Sequence, residues 1–157
     1  MAQVFLADLD QQIDACSGEF YDSGGAGGNY NNNEDVTVTI CPVGGAGSGP
    51  STSVRFITWN IAGGPPLGDQ LEVFDGVGIV GLLLNTGTST NSLAGLTFTS
   101  TDPSGCLTFR WRSDMGGTAA GWFSRIVTTP WPGTNGNGTV CSNGANVNLF
   151  SLLGNTP

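Results

Sequence analysis

Twelve carboxylates, four arginines and four cysteines carry the ionisable chemistry of this 157-residue chain, and it has no histidine. Lysine is absent too. A serine or cysteine nucleophile would therefore lack its ordinary base. Paired carboxylates, as in glycoside hydrolysis, are the remaining catalytic option. Asp69, Glu72 and Asp75 fall on one strand-like run. Strand rise sets Asp69 and Asp75 about 20 Å apart, too far to act together. Glu34 and Asp35 point to opposite faces of an extended segment. No pair is specific for catalysis, and the chain is expected not to be an enzyme. The cysteines, at positions 16, 41, 106 and 141, read as two disulfides of an oxidising compartment. A zinc site is the weaker reading, since no CxxC pair exists and no imidazole is available.

The elements that must hold these groups are centred on residues 105–126, GCLTFRWRSDMGGTAAGWFSRI. Leu107, Phe109 and Trp111 alternate with Thr108, Arg110 and Arg112, one apolar face and one polar. Ser113, Asp114 and the glycines at 116 and 117 supply turn chemistry. Trp122, Phe123 and Ile126 open a second apolar run. Elsewhere Val36, Val38 and Ile40 alternate with threonines, and residues 54–59 form another strand. In 69–76 Leu71 and Val73 share one face while Gln70, Glu72 and Phe74 share the other. Residues 78–84 make a continuous apolar run of strand length, and 93–99 one more strand. Short runs with turn signals between them suggest an all-β sandwich. With 26 glycines and only 10% charged residues, the composition agrees.

A net charge of −8 excludes the chain as a nucleic-acid binder, because four arginines cannot neutralise a row of phosphates. An anionic membrane surface would repel it, and no apolar run is long enough to span a bilayer. Residues 1–15 read as an extended N-terminal arm or linker, with a short helix over 5–13 as the alternative. Residues 128–157 read as a Pro/Gly linker with a C-terminal strand, or as the start of a following repeat. Trp59, Trp111, Trp122 and Trp131 could form a sugar-stacking platform. For Trp111 and Trp122, inside apolar alternation, core is the expected place. Trp131, between two prolines, is the expected contact to a neighbour.

Several strings coincide with one family. CSGEFYDSGGAGGNYNNNE at 16–34 is followed by a cysteine closing the next strand, DQLEVFDG at 69–76, SGCLTFRWRSD at 104–114 and GWF at 121–123. Over 16–127 the chain resembles the CUB domain, and within it the branch found in large surface proteins of the Bacteroidota. The resemblance implies a jelly-roll-like β-sandwich of two antiparallel sheets with terminal extensions. It implies a bridge from Cys16 to Cys41, with Cys106 and Cys141 as the other pair. It places Asp69 and Asp114 on two calcium-ligand positions, with Tyr30 and Glu34 as further candidates from the first loop. Near residues 60–62, where the family has another acid, this chain has none. The plainer role for Asp69 and Asp114 is to accept hydrogen bonds from turn amides, or to pair with Arg55, Arg110 or Arg112.

The resemblance implies a secreted or cell-surface structural or adhesive module that meets a protein or glycan. Two other readings follow from the termini and the aromatics. One is a filament subunit joined to neighbouring copies by terminal strand exchange. The other is a carbohydrate-binding accessory module.

Overall fold

The computed structural model describes residues 2–5, 11–44, 46–47, 49–63, 68–129, 139–142 and 145–148. In chain order the strands are β1 (Ala2–Phe5), β2 (Gln11–Asp14), β3 (Ser17–Tyr21), β4 (Asp35–Cys41), β5 (Ser51–Asn60) and β6 (Gln70–Asp75). They continue with β7 (Leu82–Gly87), β8 (Thr97–Thr99), β9 (Leu107–Arg112), β10 (Gly121–Thr129), β11 (Thr139–Ser142) and β12 (Ala145–Asn148). Two five-stranded sheets form the sandwich, ordered β1-β3-β10-β5-β8 and β2-β4-β9-β6-β7. Strands β11 and β12 make a separate two-stranded hairpin.

The expected all-β sandwich is present, with one difference in strand direction. Each sheet is antiparallel except at one edge, where β1 runs parallel to β3 and β2 parallel to β4. The N-terminal arm thus adds a strand first to one sheet and then to the other. It folds back on its own sandwich.

Alternation places the core. Leu107, Phe109 and Trp111 of β9 are fully buried, and Leu71 and Val73 of β6 face the same interior. From the opposing sheet come Phe20, Val54, Phe56, Trp122 and Ile126. Trp111 packs edge-on against Trp122 at 5.1 Å and against Tyr30 at 4.8 Å. Trp59 is half-buried, stacked on Trp122 at 6.0 Å, and its indole N–H donates to the Thr88 carbonyl at 2.8 Å. Three of the four tryptophans therefore serve the interior rather than a platform for sugar. Trp131 lies outside the described residues.

Two expected strands are shorter than their apolar runs. The run 78–84 becomes strand only from Leu82, because Gly76 and Gly78 turn the chain at φ 98° and 75°. The resulting loop folds over the outer face of its sheet. There the buried Thr108 hydroxyl donates to the Gly76 carbonyl at 2.8 Å and accepts from the Gly78 N–H at 2.9 Å. The run 93–99 begins as a turn closed by the Leu96 N–H on the Leu93 carbonyl, leaving only three residues in β8.

The expected cysteine pairing is corrected. Cys41 is bonded to Cys106 across 65 residues, so neither the Cys16–Cys41 nor the Cys106–Cys141 bridge forms. The reason is register. The β4–β9 ladder pairs Asp35 with Arg112 and Ile40 with Leu107, and its next step sets Cys41 opposite Cys106, Cα atoms 4.2 Å apart. Cys16 is also disulfide-bonded, and its backbone carbonyl accepts from Thr128 N–H of the other sheet.

Asp75 ties the two sheets at this end. It accepts from the Ser100 hydroxyl at 2.7 Å, the Thr101 hydroxyl at 2.6 Å and the amides of Thr101 and Asp102. Burial by itself would raise its pKa, but the hydrogen bonds from Thr101, Ser100 and Asp102 outweigh it and hold the carboxyl below its usual value. Asp35 is lowered by its hydrogen bond from Arg110, but that pair is exposed and screened. A depressed carboxyl contributes stability above its unfolded pKa of about 3.9, and that stability is lost as pH falls through the folded value. The share of stability that Asp75 supplies is therefore expected to be lost on acidification below about pH 4, against an opposite and separate contribution from buried Asp22, whose pKa is raised. Asp75→Asn should abolish that share; an identical pH profile of melting in the variant would remove Asp75 from the account.

Candidate functional site

Three loops meet at one end of the sandwich. They follow β3 (residues 22–34), β5 (described at 61–63 and 68–69) and β9 (113–120). Tyr30 is the pin between them. It sits in a loop yet is 1% exposed, with its ring against Trp111. Its hydroxyl donates to Asp69 Oδ2 at 2.5 Å and accepts from the Ala62 N–H at 2.7 Å. Burial, and then the bond to Asp69, hold the phenol well above its ordinary range, so it stays protonated and a donor.

Asp69 is 2% exposed and uses its second oxygen as well, accepting from the Asp114 N–H at 2.8 Å. Asp114 Oδ1 accepts from Gly116 N–H at 2.7 Å, the turn role expected of an aspartate there. The Asp114 carbonyl accepts from Asn33 N–H at 2.9 Å. Asn33 itself has φ 60°, a conformation that asparagine tolerates better than most residues. The two loops are zipped further by Ser113, whose hydroxyl donates to the Asn31 carbonyl and accepts from Glu34 N–H.

Asp69 and Asp114, singled out from the sequence, are joined by the Asp114 N–H on Asp69 Oδ1, and each carboxylate accepts a loop amide. Neither pairs with arginine: Arg110 takes Asp35 at 2.7 Å and Arg112 takes Glu72 at 3.0 Å. Glu34 is committed elsewhere, accepting from Ser23 hydroxyl at 2.8 Å, Trp111 indole N–H at 2.9 Å and the Asn31 amide. Asp22 was not singled out from the sequence. It is fully buried, and accepts from the amides of Gly24 and Trp122 at 2.7 and 3.0 Å. Burial raises its pKa. Gly121 makes room for it: its φ is 64°, and a Cβ there would lie 2.0 Å from Asp22 Oδ2. The FYDSGG string carried the signal, since Asp before glycines is turn chemistry.

Calcium takes six to eight oxygens, several of them carboxylate. Here Asp69 meets Asp114 through the Asp114 backbone N–H, both carboxylates already accept hydrogen bonds, and residues 60–62 supply no acid. Among the described residues no cluster of three or more acidic, histidine or cysteine ligands occurs. This donor set does not fit a tight calcium site.

The rim above this network is exposed, with part-exposed Glu34 and Asp114 beside it. It comprises Asn31, Asn32, Asn33 and Met115, the last 79% exposed, with Asn32 donating to the Met115 carbonyl. Asn29 joins the rim to Thr118.

Neither a protein-family profile nor a curated protein sequence matches the chain. Solved structures do. The full extracellular region of zebrafish Gpr126/Adgrg6 superposes with a TM-score of 0.58 at 16% identity, over 76% of this chain and 14% of that one. The CUB1-EGF-CUB2 region of human MASP-1/3 gives 0.55 at 15%, over 77% of this chain and 42% of that one. The MASP-1 CUB2 domain bound to Ca2+ gives 0.52 at 14%, over 76% of this chain and 99% of that one. The chain thus spans a minor part of the first two and nearly all of the single CUB domain. Its fold is a CUB-like β-sandwich.

Proposed function

We propose that this chain is a non-catalytic, extracellular interaction module of a bacterial surface or secreted protein, recognising a protein or glycan with the three-loop end. The observation that carries the reading is the loop network itself. Tyr30, Asp69, Ser113 and Asp114 tie the described parts of three loops to one another, with Asn31, Asn32, Asn33 and Met115 facing outward. A preformed rim lowers the ordering cost of binding. The Cys41–Cys106 bridge fits an oxidising, extracellular location. The Bacteroidota origin rests on the two long strings at 16–34 and 104–114. Strand exchange through the N-terminus and sugar stacking have less behind them, since β1 and β2 join the chain's own sheets and Trp59, Trp111 and Trp122 pack in the interior. Arrays of extracellular proteins and glycans test the reading, and an absence of binding on both would end it.

Calcium enters this reading as a weak ligand of Asp69 and Asp114, in the millimolar regime of extracellular modules. The melting temperature should rise by a few degrees in several millimolar calcium, and Asp114→Ala should abolish the rise. A melt that calcium leaves unchanged would confine both aspartates to their hydrogen bonds.

A further inference from the structure

Two of the four arginines, both on β9, are paired: Arg110 with Asp35 and Arg112 with Glu72. The other two, Arg55 of β5 and Arg125 of β10, stand directly opposite each other on the outer face of the other sheet. Both are exposed, and among the described residues neither forms an ion pair with a carboxylate. Side chains opposed in this way have Cβ atoms about 4.5–5.5 Å apart, and like charges there are destabilising. A chain of net charge −8 thus holds two cations together without neutralising them. The neighbouring acid is turned away. Glu19 of β3 lies opposite Arg125 on its far side, yet it accepts from the Tyr21 hydroxyl at 3.0 Å. The Tyr21 ring stacks on Phe123 at 5.1 Å, and the Arg125 guanidinium lies 5.9 Å from the centre of the Phe123 ring, which steadies it. Around the pair the face is rich in hydroxyls. Thr97 is opposite Arg55, with Ser53 and Thr99 one step along the same strands. A β-bulge against Phe123 leaves both Ile57 and Thr58 exposed.

We propose that this face binds a glycan through the carboxylate of a uronic acid, held between Arg55 and Arg125. Charge selects both the group and its carrier. Guanidinium forks match the geometry of a carboxylate, and an anion between them relieves their mutual repulsion. A densely charged partner, such as a nucleic acid, an anionic bilayer or a polyacidic peptide, is repelled by the rest of a surface of net charge −8. A glycan that carries isolated carboxylates on an otherwise uncharged chain escapes most of that repulsion, because salt screens charges more than about 8–10 Å apart. Its sugar hydroxyls meet the hydroxyls of Ser53, Thr97 and Thr99. The site uses a face of the sandwich and none of the rim residues, so it stands or falls separately from what the rim binds.

Calorimetric titration of the 157-residue chain with a hyaluronan oligosaccharide, which has a carboxylate on every second sugar, tests this. The expected Kd is about 0.1–1 mM, rising several-fold as salt goes from about 0.02 to about 0.2 M. The same oligosaccharide with its carboxylates reduced to alcohols should not bind. Arg55→Gln and Arg125→Gln should each weaken binding by at least about tenfold. Each change removes a like-charge opposition, so neither variant should melt below the parent. Arg110→Gln takes the same charge from the other sheet, and Met115→Ser alters the rim; both should bind as the parent does. No binding of hyaluronan at several millimolar would overturn the proposal. Binding that survives both arginine changes, or that the carboxyl-reduced sugar reproduces, would overturn it equally. Tighter binding of a polyglutamate peptide than of hyaluronan would overturn it in favour of an acidic protein.

Discussion

Trp111→Ala is expected to cost about 3–5 kcal/mol, the range for truncating a large buried aromatic. Total stabilities of small domains are about 5–15 kcal/mol, so the variant should sit close to unfolding at body temperature. Trp111 is fully buried, meets Tyr30 and Trp122 at 4.8 and 5.1 Å, and donates its indole N–H to Glu34 Oε2. Those contacts join the core to the loop end. Trp111→Phe separates the two contributions, because it keeps a ring in the core and removes the donor. It should cost about 1–3 kcal/mol for the lost bond and the smaller ring, and raise hydrogen exchange in residues 23–34. Denaturant titration of both variants checks the pair. A loss below about 1 kcal/mol for the alanine variant would mean that Trp111 is not the core element described here.

Removing the Cys41–Cys106 bridge by the double change Cys41→Ala and Cys106→Ala is the second large effect. The bond closes 65 residues of chain, and restriction of an unfolded loop of that length is worth about 4 kcal/mol. For a chain of this size the melting temperature should fall by about 10 °C. Non-reducing peptide mapping of the parent should recover Cys41 linked to Cys106. A map joining Cys41 to Cys16, or a melt untouched by the double change, would contradict the register of β4 and β9.

The sandwich was legible where a strand is half-buried. Period-2 alternation in 36–40, 54–59, 70–74 and 107–111 marks faces directly, and the buried sets follow it. The apolar run 78–84 misled because apolarity alone does not say strand; the glycines at 76 and 78 decide where the chain turns. The edge strands of the arm were read as extended, but their parallel pairing depends on contacts with strands distant in sequence. The disulfide depended on a register that no local pattern fixes. Once β4 and β9 are aligned through their alternating faces, Thr39 lies beside Thr108 and Cys41 beside Cys106, so the signal was relational. At the loop end Asp69 and Asp114 were found from motif strings, whereas Asp22 and Ser113 act through backbone groups that only the folded loops bring near.

The most direct test of the central claim is binding by the three-loop rim. The intact chain is applied to arrays of extracellular proteins and glycans, with and without calcium, beside Met115→Glu, Asn32→Lys and Val127→Glu. All three positions are exposed, and the melting temperatures should agree. The account predicts a protein or glycan ligand whose binding falls at least about tenfold in the two rim variants and persists in Val127→Glu. Binding indifferent to Met115 and Asn32, or lost equally in Val127→Glu, would contradict it.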